Sequence, residues 1–237
     1  NCRLMIDKNG HAWSKQGEPI ELPAHWEGVK DFAINCEGLD GECYAGLKDQ
    51  GGLSLQRIIS AFRKPNEDTP KLQYWVYDIP NESTMLDRSK TIDYLSQSKP
   101  ASIVIVQSVL LKNKEQGDTF FRDITELGYE GVVYRNLDSK YEFGKRSYNL
   151  IKRKSRQTME AVVQSVEKDR NNWGILHCKT FEGIEFKCQM RVDAAEKNYR
   201  LYENALELIG KTIEVEFEAL SDSGTPQKPV SIGIREV

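Results

Sequence analysis

The chain has 237 residues, which suits one large domain or two smaller ones. Its net charge of −3 and sequence pI of about 5.8 mean that any contact with nucleic acid must come from a local basic patch. Hydrophobic residues make up 39% and charged residues 29%, as in an ordinary globular protein, and no apolar run is long enough to cross a bilayer. We therefore expect no membrane partner.

The cysteines form neither a metal-binding nor a disulfide pattern. There are five, an odd number, none lies in a CxxC motif, and only three histidines could join them. Buried thiols in a reducing compartment are the better interpretation, which predicts a cytoplasmic protein. The cysteines are Cys2, Cys36, Cys43, Cys178 and Cys188.

The first part of the chain predicts a mixture of strands and helices. A hairpin turns at Asn9-Gly10. Apolar patterning predicts strands at residues 32–36, 39–47, 72–79 and 103–109, and helices at residues 54–62, 85–95 and 119–127. Asp118 is predicted to cap the last of these helices and Gly128 to end it.

The composition changes at a short polar linker, Ser155–Gln157. The strands predicted after it are at residues 158–166, 174–181, 184–190, 212–220 and 230–234. A helix between the third and fourth strands begins at a capping box of Asp193 and Glu196. This order predicts an OB-type barrel, a common binder of nucleic-acid backbone. We predict two domains, residues 1–155 and 156–237, and an α+β fold class.

The stretch from Glu130 to Lys154 carries the strongest chemical pattern. Glu130 stands at the head of an apolar strand, EGVV, and strand alternation sends Lys152 and Lys154 to one face and Arg153 to the other. A glutamate is a hard ligand suited to Mg²⁺, and lysines act as point charges toward phosphate oxygens. The pattern therefore predicts a site for a metal–polyphosphate; the alternative is a surface hairpin with charged outer positions.

Five further residues are weak candidates when each is taken alone. Each has an ordinary structural explanation, such as a turn residue, a solvated charge, a core aromatic or the polar end of a strand. They are Arg3, Lys15, Glu42, Tyr77 and Arg235.

The order of the motifs carries more information than any single one. Arg3 is followed by SKQG at 14–17, LDGE at 39–42, YWVYD at 74–78, EGVV at 130–133 and IKRK at 151–154. This series, followed by an OB-like module, resembles the covalent nucleotidyltransferases, and within them the small ATP-dependent DNA ligases of viral and phage type. The resemblance implies a nucleotidyltransferase (adenylation) domain of antiparallel sheets with flanking helices, followed by an OB-fold β-barrel domain.

The resemblance assigns nucleotide-binding and catalytic roles residue by residue. It implies that Glu42 contacts the ribose and supports a metal, that Tyr77 stacks on adenine, and that Glu130 holds the catalytic metal. It implies that Lys152 and Lys154 bind the ATP phosphates and neutralise charge.

Three further assignments depart from the family pattern. Arg3 and Lys15 match residues that handle the nucleotide and the 5′-phosphate of a nick, but Lys15 stands where the family usually has arginine, so bidentate phosphate recognition is lost. Arg235 matches the C-terminal motif without the charged residues that normally follow it. The family's nucleophilic lysine is expected upstream of Asn1, because Lys8 lies on the wrong side of Arg3.

The activity implied is sealing of 5′-phosphate/3′-hydroxyl nicks in duplex DNA, as in DNA repair, replication and recombination. ATP and Mg²⁺ are the cofactors implied, and AMP passes from lysyl-AMP to DNA-adenylate. We expect a monomer, in the host-cell cytoplasm if the protein is viral. Two alternatives stay open: an RNA ligase or mRNA-capping guanylyltransferase, and a nucleic-acid-binding module that lacks the nucleophile.

The strand phase gives a direct test. Glu130→Ala and Lys154→Ala should each abolish adenylylation of the complete protein, measured as acid-stable label from α-labelled ATP. Arg153→Ala should leave it intact, because Arg153 points to the other face of the strand. An equal loss of adenylylation in Arg153→Ala and Lys154→Ala would show that the assignment of these side chains to opposite faces of the strand is wrong.

Overall fold

The structure is a computed structural model that describes residues 2–47, 50–145, 147–191 and 198–235. The chain divides into two compact units, residues 1–153 and 154–237. The division lies two residues before the boundary predicted from composition. No helix in the described ranges has the length and hydrophobicity needed to cross a bilayer.

The first unit is built on a five-stranded sheet. Its strands are Arg3–Ile6 (β1), Ala12–Ser14 (β2), Leu39–Tyr44 (β3), Gln73–Asp78 (β4) and Ile103–Ile105 (β5), in the order β2-β1-β3-β4-β5. Neighbouring strands run antiparallel except β4 and β5, which are parallel. Alternate residues such as Leu4, Ile6 and Tyr74 are buried in the core, as the period of two requires. Gly131–Arg135 (β6) and Leu150–Lys154 (β7) pair as a separate two-stranded sheet.

The described residues of this unit form four helices: Val29–Asn35 (α1), Leu55–Arg63 (α2), Met85–Leu95 (α3) and Lys114–Glu126 (α4). Side chains cap three of them, because Ser54, Thr84 and Asn113 each accept a hydrogen bond from the first turn of the helix that follows. Short 3₁₀ turns lie at Thr69–Lys71 and Ser96–Ser98.

Three predictions for this unit are wrong. Residues 32–36 were predicted as a strand, but they lie largely within α1, which buries Val29, Phe32 and Ala33 at helical spacing. Asp118 does not cap α4, because the helix starts one turn earlier at the Asn113 cap. The strand predicted at residues 103–109 is limited to β5, and Val109 beyond it is exposed.

The second unit is a closed five-stranded barrel, as predicted. Its strands are Gln157–Lys168 (β8), Gly174–Lys179 (β9), Glu185–Met190 (β10), Thr212–Phe217 (β11) and, after the short pair Ala219–Leu220 (β12) and Pro226–Gln227 (β13), Val230–Ile234 (β14). They close in the order β10-β14-β11-β8-β9. A short helix, Tyr202–Ala205 (α5), and a 3₁₀ turn, Leu206–Leu208, precede β11. The predicted capping box at Asp193 and Glu196 lies outside the described residues.

A buried ion cluster fixes one end of the sheet of the first unit. Asp78, at the end of β4, accepts hydrogen bonds from Arg88 Nε at 2.7 Å and from Arg135 Nη1 at 2.5 Å. Arg88 is 3% exposed and also donates to the carbonyl oxygens of Ser83 and Ser139. Because a buried charge is costly unless it is paired, this cluster connects β4, α3 and β6 at defined positions.

Candidate active site

The Asp40-Gly41-Glu42 segment lies within β3 and is not a turn. Position 41 requires glycine because β4 packs closely against it: a Cβ atom there would lie 2.5 Å from the carbonyl oxygen of Trp75. The β3–β4 register shifts at this point, from Asp40 opposite Asp78 to Gly41 opposite Val76. Tyr77 is thereby left without a direct cross-strand partner. Such bulges redirect side chains and are frequent beside active sites.

Asp40 is the centre of the hydrogen-bond network at this site. Its carboxylate is 2% exposed and accepts hydrogen bonds from Arg3 Nε at 2.9 Å and Arg3 Nη2 at 2.6 Å. The hydroxyl groups of Tyr77 and Tyr141 donate to the same carboxylate at 3.2 and 2.7 Å. Four donors satisfy this buried charge. They bring together β1, β3, β4 and the segment that follows β6.

The protonation of the three donor side chains follows from these contacts. The hydrogen bond to Asp40 is the main cause that raises the pKa of Arg3. Burial, followed by the negative charge of Asp40, raises the pKa of Tyr77 and of Tyr141 well above the ordinary phenol value. Arg3 therefore stays charged, and both tyrosines remain neutral donors at physiological pH.

Glu42 interacts electrostatically with three other predicted residues of the first unit, Arg3, Glu130 and Lys152. It lies directly opposite Arg3 in the β1–β3 ladder and is half-buried. Burial raises its pKa, the charge of Glu130 raises it further, and the charges of Lys152 and Arg3 lower it. Two carboxylates and two cations, taken from β1, β3, β7 and the start of β6, therefore share one electrostatic environment.

Tyr77 is held on its edge and on one face. Its hydroxyl group binds Asp40, and the guanidinium carbon of Arg135 lies 5.5 Å from the centroid of its ring, a cation–π distance. Arg135 is itself fixed by Asp78. The ring is therefore pre-positioned before any ligand binds.

The side chains of β7 alternate between two environments. Lys152 is exposed, and its positive charge lowers the pKa of Glu42. Arg153 contacts α4 instead, where it donates a hydrogen bond to Asp118 and its guanidinium carbon lies 4.1 Å from the centroid of the Phe121 ring. Asp118, predicted as a helix cap, thus serves as the ion-pair partner of Arg153.

Two predicted residues lie in the second unit, and both form ion pairs with β11 or the residue that follows it. Lys154 Nζ donates to Glu218 at 3.0 Å. Arg235 lies 3.2 Å from both Glu160 and Glu214. Both cations are therefore neutralised by glutamates in this structure.

Lys15 lies apart from the other predicted site residues. It is exposed in the turn after β2. In the described part of the chain, no hydrogen bond or ion pair joins it to the other predicted residues. Four basic residues lie close together in sequence where the first unit ends: Lys145, Arg146, Arg153 and Arg156. Arg146 lies outside the described residues, and Arg153 and Arg156 pair with Asp118 and Glu216.

Comparison with known proteins identifies the family. Residues 22–154 match the model of the ATP dependent DNA ligase domain, which is more than half of the chain. The chain belongs to the ATP-dependent DNA ligase family. The resemblance drawn from the motif order is thereby confirmed.

Related sequences and structures agree with this membership. The DNA ligase of Haemophilus influenzae is 28% identical over 220 residues, which are 90% of this chain and 76% of that protein. DNA ligase 2 of Methanosarcina acetivorans is 27% identical, and this chain spans only 34% of its length. A Lig E DNA ligase structure superposes with a TM-score of 0.77 at 20% identity, covering 99% of this chain and 89% of the other. Chlorella virus DNA ligase-adenylate gives 0.50 at 22% identity, covering 100% and 92%. These likenesses confirm the fold.

The candidate site contains residues that the motif pattern does not single out. Asp40 was passed over although it belongs to the same motif as Glu42 and lies on the same face of β3, two positions away. That spacing is a signal that could have found it. Tyr141 had no such signal, because it reaches Asp40 across 101 positions of sequence.

The side chains of the candidate site have the chemistry of magnesium ligands. Glu42 and Glu130 supply hard carboxylate oxygens; burial is the main cause that raises the pKa of Glu42, and the negative charge of Glu130 adds to it. Among the described residues, no group of three or more histidine, cysteine or acidic side chains could hold a metal by itself. Mg²⁺ commonly binds through one or two carboxylates together with substrate phosphates, so two carboxylates suit it.

The Asp40 network predicts an effect on stability. Tyr141→Phe should lower the free energy of unfolding by about 1.5–3 kcal/mol, because it removes a hydrogen bond to a buried carboxylate. Urea unfolding followed by tryptophan fluorescence measures this. Tyr148→Phe is the matched control, since Tyr148 is 100% exposed. Equal effects of the two substitutions would show that the Tyr141 hydroxyl group does not hold Asp40.

Proposed function

We propose that this chain acts as an ATP-dependent DNA ligase that seals nicks in duplex DNA through lysyl-AMP and DNA-adenylate intermediates. Its family membership supports the class of reaction. One observation supports the assignment to particular residues: the charges of Arg3, Glu130 and Lys152 all act on the carboxylate of Glu42. The chain spans 76% of the Haemophilus influenzae ligase but about a third of the archaeal one, so the activity of those whole proteins is part of the proposal.

The adenosine half of ATP would lie between β3 and β4. Tyr77 is the proposed stacking partner of adenine, through the ring face opposite Arg135. Glu42 is the proposed ribose contact. Because Asp40 and Arg135 already fix the ring, little conformational entropy is lost when the base binds.

The phosphate half of ATP would lie near Glu130 and β7. When bound, Mg²⁺ would neutralise developing charge on the transferring phosphoryl group. Glu42 and Glu130 would hold it, and Lys152 and Lys154 would bind phosphate oxygens as point charges. Lys154 is paired with Glu218 in this structure, so a phosphate oxygen would share its ammonium group with that carboxylate or displace it.

The attacking lysine is proposed to lie upstream of Asn1. Lys8 is exposed in the turn between β1 and β2, and it is not one of the donors to Asp40. Arg3 and Lys15 are the proposed contacts of the 5′-phosphate, and Arg235 the proposed C-terminal motif residue. We further propose that the protein works as a cytoplasmic monomer on nicked duplex DNA.

A labelling experiment tests the proposed function. The complete protein, incubated with α-labelled ATP and Mg²⁺, should gain acid-stable label, and nicked duplex DNA should then remove it as AMP is released. GTP should not substitute for ATP. Label from GTP alone, or discharge by nicked RNA and not by DNA, would favour the RNA-directed alternatives. Absence of label would leave only a nucleic-acid-binding module.

The role of Lys15 can be isolated by removing its proposed ligand. Lys15→Ala should weaken binding to a 5′-phosphorylated nick by about 10- to 100-fold, which corresponds to a charge-assisted hydrogen bond of about 1.5–3 kcal/mol. The effect should vanish with a 5′-hydroxyl nick, and Lys15→Arg should strengthen binding because guanidinium engages phosphate bidentately. Lys8→Ala is the control, an exposed lysine of the same hairpin. Equal losses on both nicks would refute the assignment, and fluorescence anisotropy measures them.

A further inference from the structure

Two pairs of thiols lie close together in the described residues, one in each unit. Cys178 and Cys188 are buried in the barrel, with their Sγ atoms 3.7 Å apart. Cys2 and Cys43 lie at the end of the β1–β3 ladder, and their thiols hydrogen bond to each other. All four are free cysteines.

The Cys2/Cys43 pair has the geometry of a direct cross-strand pair. The ladder places Arg3 opposite Glu42, so that Cys2 falls opposite Cys43, and the backbone N–H of Cys43 donates to the carbonyl oxygen of Cys2 at 2.8 Å. Such pairs hold their Cα atoms about 5.5 Å apart. That separation is within the range of about 4.4–6.8 Å found in disulfides.

The two pairs differ in access to solvent. Cys2 is partly exposed, whereas Cys43 is 2% exposed, and both thiols of the barrel pair are buried. Thiol–disulfide exchange requires the attacking sulfur to reach its partner, so exposure decides which pair reacts.

We propose that Cys2 and Cys43 are a redox modification site that forms a reversible intramolecular disulfide with a small-molecule disulfide as oxidant. The Cys2 thiolate attacks one sulfur of the oxidant, forming a mixed disulfide and releasing one thiol. Cys43 then loses its proton and attacks the Cys2 sulfur, which releases the second thiol. The two cysteines lose two electrons and two protons, and the oxidant gains them.

The position of this link beside the ligase site gives it a consequence. A disulfide requires Cβ atoms about 3.8 Å apart, closer than the roughly 4.5–5.5 Å of an ordinary cross-strand pair, so the link draws β1 and β3 together. Arg3 and Glu42 are the next residues on the two strands. Oxidation therefore disturbs both and lowers adenylylation, a consequence that rests on the proposed function. The strain also makes the link easily reduced.

Mass spectrometry tests the disulfide without relying on activity. The complete protein is equilibrated with mixtures of reduced and oxidised glutathione, quenched in acid, alkylated and digested without reduction. The expected product is a Cys2–Cys43 linked peptide, with a loss of about 2 Da from the protein, while Cys178 and Cys188 are alkylated as thiols. Dithiothreitol should reverse it.

Substitutions separate this pair from the other thiols. Cys2→Ser and Cys43→Ser should each abolish the link, and Cys36→Ala, at a buried single thiol, should preserve it. Cys2→Ser keeps the test valid if Cys43→Ser does not fold. A Cys178–Cys188 link that forms first, or glutathione that stays on Cys2 with no internal link, would overturn the proposal.

Adenylylation measured on the same samples tests the consequence. It should fall in proportion to the linked fraction and return after reduction. Unchanged adenylylation in the linked protein would overturn the inferred effect on the site. If the disulfide forms but neither redox state is adenylylated, the proposed function fails while the modification site stands.

Discussion

The buried carboxylate of Asp40 is the constraint on which the site depends. A charge that is 2% exposed must be satisfied by donors, and here one arginine and two tyrosines supply four hydrogen bonds. These donors come from segments far apart in sequence. Satisfying one carboxylate therefore fixes the guanidinium group of Arg3 and the ring of Tyr77 together, and removal of one donor leaves a buried charge incompletely paired.

Charges of both signs lie beside this network. Glu42 and Glu130 repel each other, while Lys152 and Arg3 oppose that repulsion. The two carboxylates suit a metal cation, and the two neighbouring cations suit phosphate oxygens. The site as a whole therefore suits a polyphosphate bound together with its metal ion. In the second unit, glutamates of β11 and its end hold Lys154 and Arg235. Ligand phosphate would therefore compete with the carboxylate of Glu218 for Lys154.

Much of this architecture was predictable from local patterns. The barrel strands follow alternation with clear turn signals, and the Glu130 and IKRK segments were found because each carries its chemistry within a few residues. Short or mixed segments failed: α1 has only seven residues, too few for its helical period to stand out from a strand pattern. The start of α4 was missed because Asn113 and Asp118 are both plausible caps, and Asp118 is bound to Arg153 instead. Tyr141 and Arg88 act through long-range contacts that no local pattern encodes.

A structure of the complete protein with a non-hydrolysable ATP analogue and Mg²⁺ tests the central claim most directly. The predicted result is adenine stacked on Tyr77, the metal bound by Glu42 and Glu130, the phosphates at Lys152, and Asp40 still bound by Arg3 and Tyr141. A nucleotide bound elsewhere, such as in the cavity of about 330 Å³ lined by Glu21, Trp26 and Lys30, would contradict it.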